Sequence, residues 1–137
     1  SINDLLSFFI IKNDIGDLFF HFVSDIVSLL KKVDQLGKDV IIIDDMCDTA
    51  GTLTTAADLL IERGANTVRA FCTHAVLSGP AYERIEKSHL TELIVTDTVP
   101  LRQASGKIKV VSVDHLFADV IKRMVNNESI SSHFVIP

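Results

Sequence analysis

Apolar residues at Ile15, Leu18, Phe19, Phe22, Ile26, Leu29, Leu30 and Val33 recur at the spacing of one helix face, which predicts an amphipathic helix over 15–33. Phe20, Val23 and Val27 widen that face. After Gly37 the texture changes to short β-branched runs that alternate with helical patterns. The run VIIID at 40–44 reads as a strand covered on both faces. A helix over 52–63 stopped by Gly64, a strand over 67–73 and a short helix over 80–87 follow. Pro80 is tolerated in the first turn because its missing N–H would have had no partner there. Strands over 92–96 and 107–113 come next. Asp114 is expected to cap a helix running to about Val125, with Lys122 and Arg123 in its last turns, where they favour the dipole. Strands and helices in this alternation are the signature of βαβ units, so the expected fold class is α/β, a largely parallel sheet flanked by helices. Residues 1–35 stand apart as an atypical N-terminal helical segment, and 36–137 read as one α/β domain.

Chemistry concentrates in 40–55, VIIIDDMCDTAGTLTT. A buried strand ends in two carboxylates, a short loop follows with Ala50 and Gly51, and a helix begins. The first N–H groups of that helix lack intrahelical acceptors, so the loop is a ready anion site. Ala50 and Gly51 let the backbone approach a phosphate, and Thr49 and Thr52 offer hydroxyl donors. The loop is neither a Walker A motif, since no GK[ST] follows the glycine, nor GxGxxG. Asp44 and Asp45 add acceptors for sugar hydroxyls or for a magnesium ion. Asp48 lies nearer the anion, where its charge repels phosphate unless it is turned to hold loop donors or takes a proton. The alternative is that the acidic pair merely closes a strand and that Thr49–Thr52 is a helix cap, but capping accounts for Thr52 alone. A phosphorylated sugar fits the whole set.

Composition removes several other classes. With 137 residues, 47% of them hydrophobic, the chain can bury one real core. A net charge of −5, from 13 basic and 18 acidic residues, argues against a nucleic-acid partner. Cys47 and Cys72 form no metal-ligand spacing and no disulfide framework, which points to the reducing cytoplasm. Cys47 has no placed histidine or asparagine to activate it and reads as a spacer, and Cys72 reads as core. The opening stretch shows no basic region leading to a small-residue cleavage site, so no signal peptide is expected. Lys12, Asp14, Asp17 and Asp25 break the apolar 5–30 stretch into runs too short to span a membrane.

VIIIDDMCDTAGT resembles the phosphoribosyl-pyrophosphate motif shared by type I phosphoribosyltransferases and ribose-phosphate diphosphokinases. The stretches ADLLIERGANTVRAFCTHAVLSGPAYERI, ELIVTDTVP and NNESISSHF carry the likeness on to the diphosphokinases, across about 36–137. That resemblance implies a type I phosphoribosyltransferase-like fold for the C-terminal half of such an enzyme. The family moves the β,γ-diphosphoryl group of ATP onto the anomeric hydroxyl of ribose 5-phosphate, with magnesium, in nucleotide biosynthesis. It implies that Asp44 holds the ribose hydroxyls, with Asp45 as a second hydroxyl or magnesium partner, and that Asp48, Thr49, Ala50, Gly51 and Thr52 wrap the 5-phosphate. Ser129, Ser131 and Phe134 fall in the segment associated with allosteric phosphate or ADP at subunit contacts, and a homo-oligomer is expected. His74, at the carboxyl end of the next strand, is a further candidate to face the site. The family's basic catalytic loop corresponds to GDLFFHF at 16–22, which holds no lysine or arginine. No residue is therefore assigned to catalysis, and the metal ligands are left open. The chain is expected to supply the ribose-5-phosphate site without being catalytically complete alone. A non-catalytic associated subunit and a small phosphoribosyltransferase are the alternatives.

Overall fold

The structure, a computed structural model, describes the backbone of Phe8–Ile11 and residues 37–133. The helix expected over 15–33 and the candidate Phe134 lie outside the described residues. The elements in chain order are β1 (Phe8–Ile11), β2 (Asp39–Cys47), α1 (Gly51–Glu62), β3 (Thr67–Ala75), α2 (Ala81–Lys87), β4 (Glu92–Thr96), β5 (Ile108–Val111) and α3 (Asp114–Val125), then a single 3₁₀ turn at Ser131–His133. All five strands run parallel in the order β1-β2-β3-β4-β5. Stepping one strand at a time in one direction, with right-handed crossovers, puts the connecting helices α1 and α2 on the same face.

That face is the core. Val40 and Ile42 of β2, Val68 and Ala70 of β3, and Leu93 and Val95 of β4 are buried beneath Leu53, Ala56, Ala57 and Leu60 of α1 and Ile85 of α2. The four α1 residues follow the i, i+3, i+4, i+7 rule, so one helix stripe delivers all of them. Each fully buried Leu or Ile contributes about 1.5–3 kcal/mol relative to exposure. Gly64 ends α1 with φ +93°, where its N–H donates to Ile61 O and the Ala65 N–H to Leu60 O, closing the helix with glycine in the left-handed position.

Four expectations need correction. The strand expected over 40–44 continues to Cys47, because β3 also runs on to Ala75 and pairs with it through Met46↔His74 and Cys47↔Ala75. The acidic pair therefore sits within the strand rather than at its end. Among the described residues the same strand is fully buried on one face only: Ile41 and Ile43 are half-buried and Phe71 of the neighbouring strand is exposed. At the far edge, β5 covers only Ile108–Val111, where it pairs with Leu93–Thr96. Asp114 does not cap α3, since Val113 occupies the cap position with no side-chain bond. Asp97, at the end of β4, holds the start of α3 instead, accepting from the Val113 N–H at 3.0 Å and from the Ser112 hydroxyl.

Candidate functional site

Beyond the carboxyl end of β2 lies a concavity of about 160 Å³ lined by Asp44, Met46, Cys47, Asp48, Thr49, Ala50, Gly51, Thr52 and Leu53. Ligands of open α/β sheets bind at this end of the strands. Six of the seven residues expected to contact a sugar phosphate line it together. Asp45 does not: it is exposed, its N–H donates to Asp44 Oδ1 at 2.9 Å, and it stands beside the cavity rather than in its wall. Met46, Cys47 and Leu53 were not anticipated as wall residues. They are there because the strand runs on and because α1 starts one residue early.

The cap of α1 decides between the two readings of the loop. Ala50 occupies the cap position in the left-handed region at φ 58°, and no side chain caps the helix. Neither Thr49 nor Thr52 spends its hydroxyl on capping, so the helix-cap explanation of these threonines fails. Thr54 turns inward, donating to Ala50 O at 2.8 Å and Gly51 O at 3.2 Å. The main-chain N–H groups of Gly51, Thr52 and Leu53 have no protein acceptor among the described residues. These donors open on the cavity at the positive end of the α1 dipole. A left-handed alanine costs about 1 kcal/mol or more. Burial of its methyl in the core helps to hold it there.

Asp48, the residue that would repel an anion, lines the cavity but is engaged on its other side by Ser78. Its carboxylate accepts the Ser78 hydroxyl, and its carbonyl accepts the Ser78 N–H at 3.0 Å. Burial first, and then the nearby Asp44 charge, push the Cys47 thiol up to about 11, which keeps it a protonated thiol at neutral pH. Cys72 is raised to about 12 by burial and then by Cys47. His74 does not enter the cavity; its Nδ1 bonds Thr98 Oγ1 at 2.8 Å.

One contributor was not anticipated. Arg84, on α2, donates from Nη1 to Thr49 O at 3.0 Å and lies 3.0 Å from where a Cβ on Gly51 would stand. It is 35 positions from Thr49 in sequence. Local pattern carries no signal for it beyond being a basic residue on a short helix.

Ser129 and Ser131 are not near the cavity. Their hydroxyls bond each other at 2.9 Å, and Arg123 donates to Ser129 O at 3.3 Å while also holding Asp119. His133 Nε2 meets Asp119 Oδ2 at 2.7 Å, so the tail folds against α3.

For a metal, no three His, Cys, Asp or Glu side chains converge among the described residues. Asp44 in the wall and Asp45 beside it fit a magnesium ion of another kind, one bound by one or two carboxylates and completed by water and phosphate oxygens. No helix among the described residues is long and apolar enough to cross a membrane.

Known proteins resemble this chain over most of its length. The phosphoribosyl synthetase-associated domain family matches residues 27–135. A ribose-phosphate pyrophosphokinase of Helicobacter hepaticus is 59% identical over 111 residues, covering 81% of this chain and 35% of that protein. One of Wolinella succinogenes is 52% identical over 113 residues, covering 82% and 36%. Both names are those of transferases. The crystal structure of phosphoribosylpyrophosphate synthetase from Mycobacterium smegmatis superposes with a TM-score of 0.67 at 39% identity, over 69% of this chain and 33% of that one. The expected type I phosphoribosyltransferase-like α/β fold is thus the one observed. The chain spans about a third of the length of the curated relatives it matches.

Proposed function

The chain belongs to the phosphoribosyl synthetase-associated domain family, and from that premise we propose that its cavity at 44–52 binds ribose 5-phosphate as part of a ribose-phosphate diphosphokinase. The observation that carries this reading is the set of unspent donors at the start of α1 facing a cavity that Asp44 also lines. The N–H groups of Gly51, Thr52 and Leu53 and the hydroxyls of Thr49 and Thr52 donate to the 5-phosphate oxygens. Asp44 accepts from the ribose hydroxyls, as a carboxylate can and an amide N–H cannot. Asp48, which lines the same cavity, is held by Ser78 and so shapes the loop that wraps the phosphate.

The reaction transfers the β,γ-diphosphoryl group of ATP to the anomeric hydroxyl, releasing AMP. Asp44, with Asp45 beside the cavity, would hold a magnesium ion, which would supply charge neutralisation to that group. Cationic side chains are worth about 10³-fold or more in such transfers. Among the described residues lining the cavity none is lysine or arginine, and the 16–22 stretch holds neither. This chain then supplies the acceptor-sugar site, and the clamp on the diphosphoryl group comes from residues beyond the described cavity wall. The same observation favours a second reading, a non-catalytic associated subunit that retains the sugar-phosphate site. In either case the setting is the cytoplasm and the assembly a homo-oligomer or one with active subunits.

Calorimetric titration of the full chain with ribose 5-phosphate and magnesium tests the proposal. Saturable binding that Asp44→Ala weakens by tenfold or more, about 1.4 kcal/mol, is expected. No heat of binding at millimolar ligand would refute it. An AMP-release assay of the chain alone, and then mixed with an active relative, separates catalyst from associated subunit.

A further inference from the structure

Three successive carbonyls of the loop are taken by a single neighbouring segment. The Leu77 N–H donates to Cys47 O at 3.1 Å, the Ser78 N–H to Asp48 O at 3.0 Å, and Arg84 Nη1 to Thr49 O at 3.0 Å. In a planar trans peptide the C=O of one residue and the N–H of the next point in opposite directions. Tying down these three oxygens therefore fixes the planes of the three peptides and turns the N–H groups of Asp48, Thr49 and Ala50 away from the brace, the last of them onto the Cys47 sulfur. The last of the three bonds matters most. It fixes the peptide between Thr49 and Ala50, immediately before the left-handed residue that sets the direction of α1 and its free donors.

Unlike the first two bonds, it comes from a side chain carried by another helix. Its guanidinium packs so closely under Gly51 that an added Cβ would stand 3.0 Å from Nη1 and 3.6 Å from Cζ. Glycine at 51 thus makes room for the arginine as well as for a ligand. The guanidinium also brings positive charge behind a loop whose cavity wall contains two carboxylates, Asp44 and Asp48. Because Arg84 is solvent-exposed, screening keeps the charge effect modest, and the directional bond is the larger part.

We propose that Arg84 is a positioning residue for the sugar-phosphate site: it sets the peptide at Thr49–Ala50, and through it the aim of the donors at Gly51, Thr52 and Leu53. The inference rests on the reading of the cavity as a ribose-5-phosphate site. The experiment compares wild type, Arg84→Met, Arg84→Lys and Lys87→Met, each as the full chain, by calorimetric titration with ribose 5-phosphate and with inorganic phosphate. Lys87→Met is a control on the same helix, where Lys87 pairs with Glu83 away from the loop.

Arg84→Met should lose about tenfold in affinity for both ligands. Arg84→Lys should recover part of that loss, and Lys87→Met should bind as wild type. In ligand-free amide spectra, Arg84→Met should move the Thr49, Ala50 and Gly51 resonances while the melting temperature stays close to that of wild type. A residue that only supports the fold would instead lower the melting temperature without regard to these amides. Wild-type affinity in Arg84→Met, or an equal loss in Lys87→Met, overturns the inference alone. Absence of ribose-5-phosphate binding by the wild type overturns the proposed function and this inference with it.

Discussion

Replacing Gly51 with alanine separates the stability of the loop from its aim. Gly51 is the first residue of α1 and is not among the residues of positive φ, so its backbone accepts a side chain. Alanine in place of glycine favours a helix by up to about 1 kcal/mol. Against that gain stands a Cβ placed 3.0 Å from Arg84 Nη1, where ordinary contact begins at 3.4 Å. The guanidinium must give way by about 0.4 Å, the difference between those two distances. The Arg84–Thr49 bond, now 3.0 Å, is then pushed toward the limit of a hydrogen bond. Losing part of a charged hydrogen bond, worth about 1.5–3 kcal/mol in full, roughly offsets the helical gain. Urea unfolding followed by far-ultraviolet circular dichroism should therefore place the variant within about 1 kcal/mol of wild type. Titration with ribose 5-phosphate should show a fall in affinity of about tenfold, because the peptide that Arg84 orients is displaced. Unchanged affinity at unchanged stability would refute the reasoning. So would a stability loss above about 3 kcal/mol, which would mean that the loop belongs to the core rather than resting on it.

Leu77 is strained yet buried, with φ 46° and 2% exposure, so Leu77→Gly sets two terms against each other. Relief of the left-handed strain returns about 1–2 kcal/mol, while deletion of the side chain costs about 3–5. Urea denaturation should show a net loss of about 1–4 kcal/mol, and a stabilised variant would contradict the assignment. Acid should destabilise the fold through Asp39, Asp97 and Asp119, whose carboxyls sit below their usual 3.8. The causes are the Thr67 and then Asn66 bonds at Asp39, the Ser112 hydroxyl and then the Val113 N–H at Asp97, and Arg123 and then His133 at Asp119. Because the folded values are depressed, the stabilisation is present above the unfolded value and lost as pH falls through the folded one. The urea midpoint should hold from about pH 6 to about pH 4 and drop below, and Asp97→Asn should flatten the drop; a midpoint indifferent to acid would count against these bonds. Cys47 and Cys72, raised to about 11 and about 12, should react with iodoacetamide slowly at neutral pH in the native chain and readily in urea. Fast native alkylation would show that the cavity wall holds a thiolate.

Much of this arrangement could be read before any coordinates. The alternation of β-branched runs with helical patterns was enough for a parallel α/β sheet, since successive strands joined through a helix must run parallel. Glu92–Thr96 matches its strand at both ends because Thr91 and Asp97 flank a short apolar run, Leu93–Val95. The end of β2 was missed for a different reason. Asp44 and Asp45 interrupt the apolar run, and it is the pairing of Met46 and Cys47 with β3 that carries the strand past them. The start of α3 followed the same logic: Asp114 has the residue type of a cap, but Asp97, brought close by the end of β4, takes the bonds. The phosphate loop was legible as chemistry because its donors and acceptors are contiguous in sequence. Its brace was not, because Leu77, Ser78 and Arg84 reach it from the next crossover. The α3 pattern gave a helix correctly, yet Leu116, Phe117, Ile121 and Met124 are exposed, since periodicity fixes a face and not what meets it.

The most direct measurement is an amide ¹H–¹⁵N titration of the uniformly labelled chain with ribose 5-phosphate. Saturable shifts concentrated at Asp44 and at Thr49 through Leu53, with little change at Lys107, Lys109 or Lys122, are the expected result. Shifts spread over the surface lysines, or none in the loop at saturating ligand, would contradict a sugar-phosphate site at the start of α1.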